Sequence, residues 1–208
     1  MLLRLLVAIS AAFTLVACDP GPNTGRHTPA NSRAPMRGFD TDKGVLVKWG
    51  SLPITFAFDK EMPAEFQRAC VRAAATWNRV LNIDMFAFTK DPDATKNKIT
   101  WGNDQKPKPD GHQAETSTWV VNGIIKTADI DFDLRHFPLS TNLAPQTADA
   151  ESVCLHELGH SMGMAHSDSK DSIMQPSLET GTMKRTPSTE DIINVLNVYN
   201  PVLLSNLQ

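Results

Sequence analysis

The run HELGHSMGMAH, His156 to His166, packs three of the chain's six histidines into eleven residues. His156 and His160 are four apart. On a helix that spacing sets both imidazoles on one face, about one turn apart, where they suit one metal ion. Glu157 projects too far round the helix to be a good third ligand, but it can reach a water on that metal. Gly163 ends the helix, because glycine accepts the left-handed backbone that reverses a chain. The returning chain then delivers His166 as the third ligand. Three neutral nitrogens leave a tetrahedral zinc with one open position, as in catalytic rather than structural sites. Five fixed positions, at about one in twenty each, arise by chance roughly once in three million starts. The fold must therefore hold a helix with a sharp reversal at its end.

The rest of the chain limits the options. Its 208 residues, 41% hydrophobic and 21% charged, fit one globular domain with a little left over. With a net charge of −3 and no Lys/Arg block, no nucleic-acid partner is expected. Arg4 precedes the apolar run LLVAISAAFTLVA, too short to span a bilayer comfortably and right for a signal segment over residues 1–17. LVAC, Leu15 to Cys18, resembles the lipobox of bacterial lipoproteins. That resemblance implies a lipidated Cys18 as the mature N-terminus and a cell-envelope location facing the periplasm or exterior, with membrane contact through acyl chains. Residues 18–44 carry four prolines and four glycines after Cys18, without apolar periodicity, and read as a disordered tether. Cys70 and Cys154 remain as a pair. In an oxidising compartment a disulfide is one reading; two buried thiols are the other.

The domain is expected over residues 45–208. Val45–Lys48 and Ile54–Phe58 alternate as strands do. Phe66, Cys70, Ala73, Ala74, Trp77 and Leu81 recur at helical steps, with Pro63 allowed in the first turn. IDMFAF and KITWG read as short strands. Asn122-Gly123 between two apolar runs is a strong hairpin signal. A helix follows from about Asp149 to Gly163. The last helix starts near Ser188, its cap, with Ile192, Val195, Leu196 and Tyr199 as its apolar stripe.

The extended histidine motif resembles that of the metzincins, and Ser167 with SIMQP resembles their matrixin branch. PITFAF, TADIDFD, DAESVCLHELGHSMGM and STEDIINVLNVY are similar to matrixin segments in the same order, covering about residues 45–200. The resemblance implies that Met174 is the Met-turn residue, an apolar floor beneath the zinc. Gln175 stands where astacins and serralysins carry tyrosine. No cysteine-switch propeptide is visible, since APMRGFDTD has no Cys. Asp129, Asp131 and Asp133 are candidate calcium ligands, with a solvated strand end as the alternative; calcium has no further support. Only His112 and His136 remain outside the motif and tether, too few for a histidine-rich second zinc site.

The implied fold is α+β: a twisted, mixed, mostly parallel sheet with an antiparallel edge strand, two long helices and a C-terminal helix. The edge strand is expected at Thr116–Val121, where an extended peptide substrate can add itself to the sheet. Residues 176–187 would wall the pocket for the side chain after the scissile bond. The implied activity is zinc-dependent peptide hydrolysis with Glu157 as general base, by a chain acting as a monomer. The alternative is a membrane-tethered, zinc-containing binding module without useful turnover.

Overall fold

The computed structural model describes residues 41–42, 45–102, 113–134 and 138–200. The segment read as a signal, Cys18 and nearly all of the segment read as a tether lie outside the described residues, as do His112 and His136. A short antiparallel pair opens the structure, β1 (Thr41–Asp42) with β2 (Val45–Leu46). The described structure thus begins inside the segment read as tether; a two-residue strand is too short to show alternation.

The main sheet holds β3 (Lys48–Trp49), β4 (Ile54–Phe58), β5 (Phe86–Thr89), β6 (Asn97–Trp101), β7 (Ala114–Val121) and β8 (Ile124–Phe132). Strand β5 pairs with β4, β4 with β6 and β6 with β8, all parallel, and β3 lies parallel to the first two residues of β8. Only β7 runs antiparallel, along the whole of β8. Asn122 and Gly123 join the two with φ of 50° and 76°. Both central residues of a two-residue hairpin turn of this kind need positive φ, which Asn and Gly supply most readily. Two further residue pairs, β9 (Leu139–Ser140) and β10 (Ala148–Asp149), run parallel and lead into the second helix.

Parallel neighbours need a long crossover, and α1 (Ala64–Leu81) supplies it between β4 and β5. Pro63 stands one position before its first turn, and Asn82 ends it in the left-handed conformation. The buried stripe of α1, Cys70, Ala73, Ala74, Trp77 and Leu81, shares one core with Ile54, Phe56, Ile99, Ile130 and Phe132 of the sheet. The small alanines let α2 (Ala150–Ser161) come close, and the Trp77 indole donates to the Leu155 carbonyl at 3.1 Å. Cys70 and Cys154 are joined across this contact, with their Cα atoms 5.3 Å apart. Helix α3 (Thr189–Tyr199) starts at a capping box of Ser188 and Asp191 and buries Val195, Leu196 and Val198.

Helix α2 is buried nearly all round: of its twelve residues only His156 is not counted among the buried. A helix of this kind lies inside the core, so each of its polar groups needs a partner. Asp149, fully buried, caps it by accepting from the Ser152 N–H and receives a forked pair of hydrogen bonds from Arg185. Burial opposes ionisation of Asp149, but the bonds from Arg185 and Ser152 outweigh it and hold the carboxyl below its ordinary range. Glu151 takes Arg72 Nε at 2.7 Å. At the far end the Trp49 indole donates to the Ser161 carbonyl and the Tyr199 hydroxyl to that of Met162, both at 2.7 Å. Two carbonyls that a helix terminus leaves over are thereby satisfied.

Candidate metal centre

The three histidines converge where α2 ends. His160 Nε2 lies 2.9 Å from His156 Nε2 and 3.1 Å from His166 Nε2. Gly163, at φ 96°, makes the reversal that carries the chain on to His166. One ligand atom from each ring lies within 4.8 Å of the others. The opposite nitrogens are held: His156 Nδ1 is 2.7 Å from the Ile173 carbonyl and His160 Nδ1 is 2.8 Å from that of Met164. A carbonyl only accepts, so each Nδ1 carries the proton and each Nε2 presents a lone pair. Lone pairs turned on one another repel unless a cation lies between them. Three nitrogens bound tetrahedrally at 2.0–2.1 Å would be about 3.3 Å apart, close to the two spacings that His160 Nε2 makes with its neighbours. The donor set therefore fits zinc.

Protonation also suits a metal. Burial, assisted by repulsion from His166, pushes His156 down to about 4. Burial pushes His160 well below its ordinary value, with the neighbouring imidazoles adding to the effect. Both rings are then neutral near pH 7, the form that ligates.

The ring supports trace back to α3. Asp191, buried, accepts from the Ile173 N–H at 3.0 Å and from the Ser172 hydroxyl. It thereby fixes the segment whose Ile173 carbonyl orients His156. Next in that segment, Met174 is fully buried. Its sulfur lies so close to α2 that a Cβ on Gly159 would stand 2.4 Å from it. Glycine between the two histidines is thus what admits the methionine beneath them. The sequence alone assigns Gly159 no role, because its requirement comes from a residue fifteen positions on.

Glu157 is 2% exposed and does not join the histidine cluster. Its carboxylate meets the Thr116 hydroxyl of β7 at 2.6 Å. Glu157 and His156 line a cleft with Ala114, Val153, Ile173 and Leu178 among its apolar walls. Gln113, Ser152, Gln175, Pro176, Ser177 and Lys184 complete it, so Pro176, Ser177, Leu178 and Lys184 of the segment 176–187 line this space. Strand β7 borders α2, and among the described residues it pairs only with β8. The edge strand begins at Ala114, two residues earlier than the sequence suggested.

Asp129, Asp131 and Asp133 do not form a solvated strand end. The first two lie within β8, where Asp129 accepts the Lys98 N–H, and Asp133 is buried just beyond it.

A sheet edge beside a helix that carries two histidines, with a third delivered by the reversal after it and a buried methionine packed against that helix, is the arrangement of the metzincin class of folds. Within that class the chain belongs to the matrixin family, peptidase M10, whose sequence profile matches residues 48–200. It is 30% identical over 169 residues to Metalloendoproteinase 2-MMP of Arabidopsis thaliana, covering 70% of this chain and 40% of that protein. It is 28% identical over 165 residues to Metalloendoproteinase 1 of Glycine max, covering 74% and 53%. Identity to Metalloendoproteinase 4-MMP of Arabidopsis thaliana is 27% over 173 residues, covering 71% and 46%. The chain thus matches about half or less of the length of these relatives.

Proposed function

We propose that the chain is a zinc-dependent endopeptidase. The observation that carries this reading is the convergence of His156, His160 and His166 beside the buried carboxylate of Glu157, in a cleft bordered by an open strand edge. Names of the relatives, all metalloendoproteinases, support it. Zinc on the three Nε2 atoms would lower the pKa of a water towards about 7 and polarise a carbonyl. The chain's own groups do the rest. Main-chain groups of β7 bind an extended peptide as an added strand. The cleft receives the side chain after the scissile bond. Glu157 takes the water's proton and hands it to the leaving amine. No covalent enzyme intermediate is required, and Cys154 has no nucleophilic part.

Purified protein is expected to carry about one zinc per chain and to cleave a generic unfolded protein substrate. A chelator should abolish cleavage and added zinc should restore it. Hydrolysis indifferent to the chelator would remove the metalloprotease reading; zinc bound without any turnover would favour the binding module.

From LVAC, Leu15 to Cys18, we also propose that lipid on Cys18 tethers the domain to a membrane. Among the described residues no helix is long and apolar enough to cross a bilayer. Labelling with a palmitate analogue in a bacterial host should mark the wild type and be lost in Cys18→Ser. Equal labelling of both would end the idea.

A further inference from the structure

From the contact between β7 and α2 we infer that Thr116 is a positioning residue for the Glu157 carboxylate. The inference rests on the reading of Glu157 as the general base, and adds a second residue, on another element, to the reaction.

Thr116 has no exposed surface and Glu157 almost none. The Thr116 hydroxyl lies 2.6 Å from Glu157 Oε2 and 3.1 Å from the Glu157 carbonyl oxygen. It has one proton for two acceptors. The carboxylate is nearer and, when ionised, charged, so it takes the proton; hydrogen bonds to ionised groups are the shorter and stronger kind. The last side-chain torsion of a glutamate is broad and only weakly restrained by the side chain itself. The hydroxyl removes that freedom at one oxygen.

Thr116 is itself well fixed. It stands opposite Ile130 in the β7–β8 register, inside an unbroken run of pairs from Ala114 to Trp119. Threonine is branched at Cβ, so its χ1 is stiff. The donor therefore belongs to the sheet, while the acceptor belongs to the helix that carries two of the histidines. Strand β7, which among the described residues pairs only with β8, also has the edge along which the peptide would lie. One strand thus aligns the substrate by its main chain and the base by a side chain. Registering both on a single rigid element keeps the base, the histidine cluster and the scissile bond in fixed relation, and small misplacements of such groups are costly.

A leaner explanation is that Thr116 merely fills space in the core. Valine has nearly the same shape and an equal liking for strands, so Thr116→Val separates shape from hydroxyl. Thr116→Ser keeps the hydroxyl and loses a methyl. Two measurements are needed, because one must not depend on turnover. The first is steady-state cleavage of a fluorogenic peptide. Thr116→Val should lower kcat about tenfold, with KM within about twofold and zinc per chain unchanged. Thr116→Ser should recover most of the loss.

The second is thermal unfolding of the metal-stripped protein in a cycle of Thr116→Val, Glu157→Met and the double variant. Thr116→Val alone should lower Tm by about 5 °C, because a buried carboxylate loses a hydrogen-bond donor. In the Glu157→Met background the same change should cost clearly less, since the charged acceptor is gone and only the main-chain carbonyl of residue 157 remains to accept. The two measurements agree only if the contact both exists and matters for turnover. Wild-type kcat in Thr116→Val, or additive Tm changes, would overturn the inference while the protease reading stands. A wild type with no chelator-sensitive cleavage would overturn both.

Discussion

Glu157→Gln is expected to lower peptide cleavage by about a hundredfold or more, the scale of losing acid–base catalysis, while zinc stays near one per chain. The substitution preserves shape in a site with little room, since Glu157 is 2% exposed. Glutamine still offers an oxygen to the Thr116 hydroxyl, so the contact between β7 and α2 survives. It has no carboxylate to accept the water's proton. The histidines and their supports, the carbonyls of Ile173 and Met164, are untouched. His156→Ala, His160→Ala and His166→Ala should behave differently, because each removes a ligand and weakens metal binding itself. Zinc content and cleavage measured across the four variants separate the two roles. Zinc lost from folded Glu157→Gln would make the glutamate a ligand, and full activity in that variant would remove it from the mechanism.

The convergence of the histidines was legible because it depends on local spacing. Positions four apart share a helix face whatever surrounds the helix, and Gly163 marks the reversal by its own chemistry. The hairpin was legible for the same reason, since Asn122 and Gly123 tolerate positive φ. The supports were not. Asp191 reaches Ile173 across eighteen residues, Thr116 reaches Glu157 across forty-one, and Trp49 reaches Ser161 across 112. A threonine in a strand looks the same in sequence whether its hydroxyl faces a carboxylate or nothing. The alternation of Asp129, Ile130, Asp131 and Phe132 told that a strand was present, yet not that β8 would be flanked on both sides. Periodicity reports which faces differ; only the packed sheet decides what each face meets. Gly159 illustrates the limit most sharply. Inside a helix it costs stability relative to alanine, and the compensation, room for Met174, appears only in three dimensions.

The second large effect expected is on stability. Replacing both Cys70 and Cys154 by alanine should destabilise the domain by about 4 kcal/mol, because the unfolded chain regains the freedom that a crosslink denies it. The crosslink closes a span of 84 residues, long enough for that contribution to be near the upper end of the usual range. Both cysteines are buried, so alanine leaves only small voids and introduces no polar group. For a domain of this size the change corresponds to a fall in Tm of about 10 °C. Zinc binding well below the transition should survive. Cys154 lies two residues before His156, but α2 is also held by the Trp77 indole, by Asp149 with Arg185, and by Trp49 and Tyr199 at its end. The crosslink is therefore expected to act on the unfolding equilibrium rather than on the site. Calorimetry on the oxidised wild type and the double variant, with zinc content measured in each, tests both halves. An unchanged Tm, or peptide mapping that finds two free thiols in protein produced in an oxidising compartment, would sink the pairing. Loss of zinc from the folded double variant would show that the bond holds the metal helix in shape.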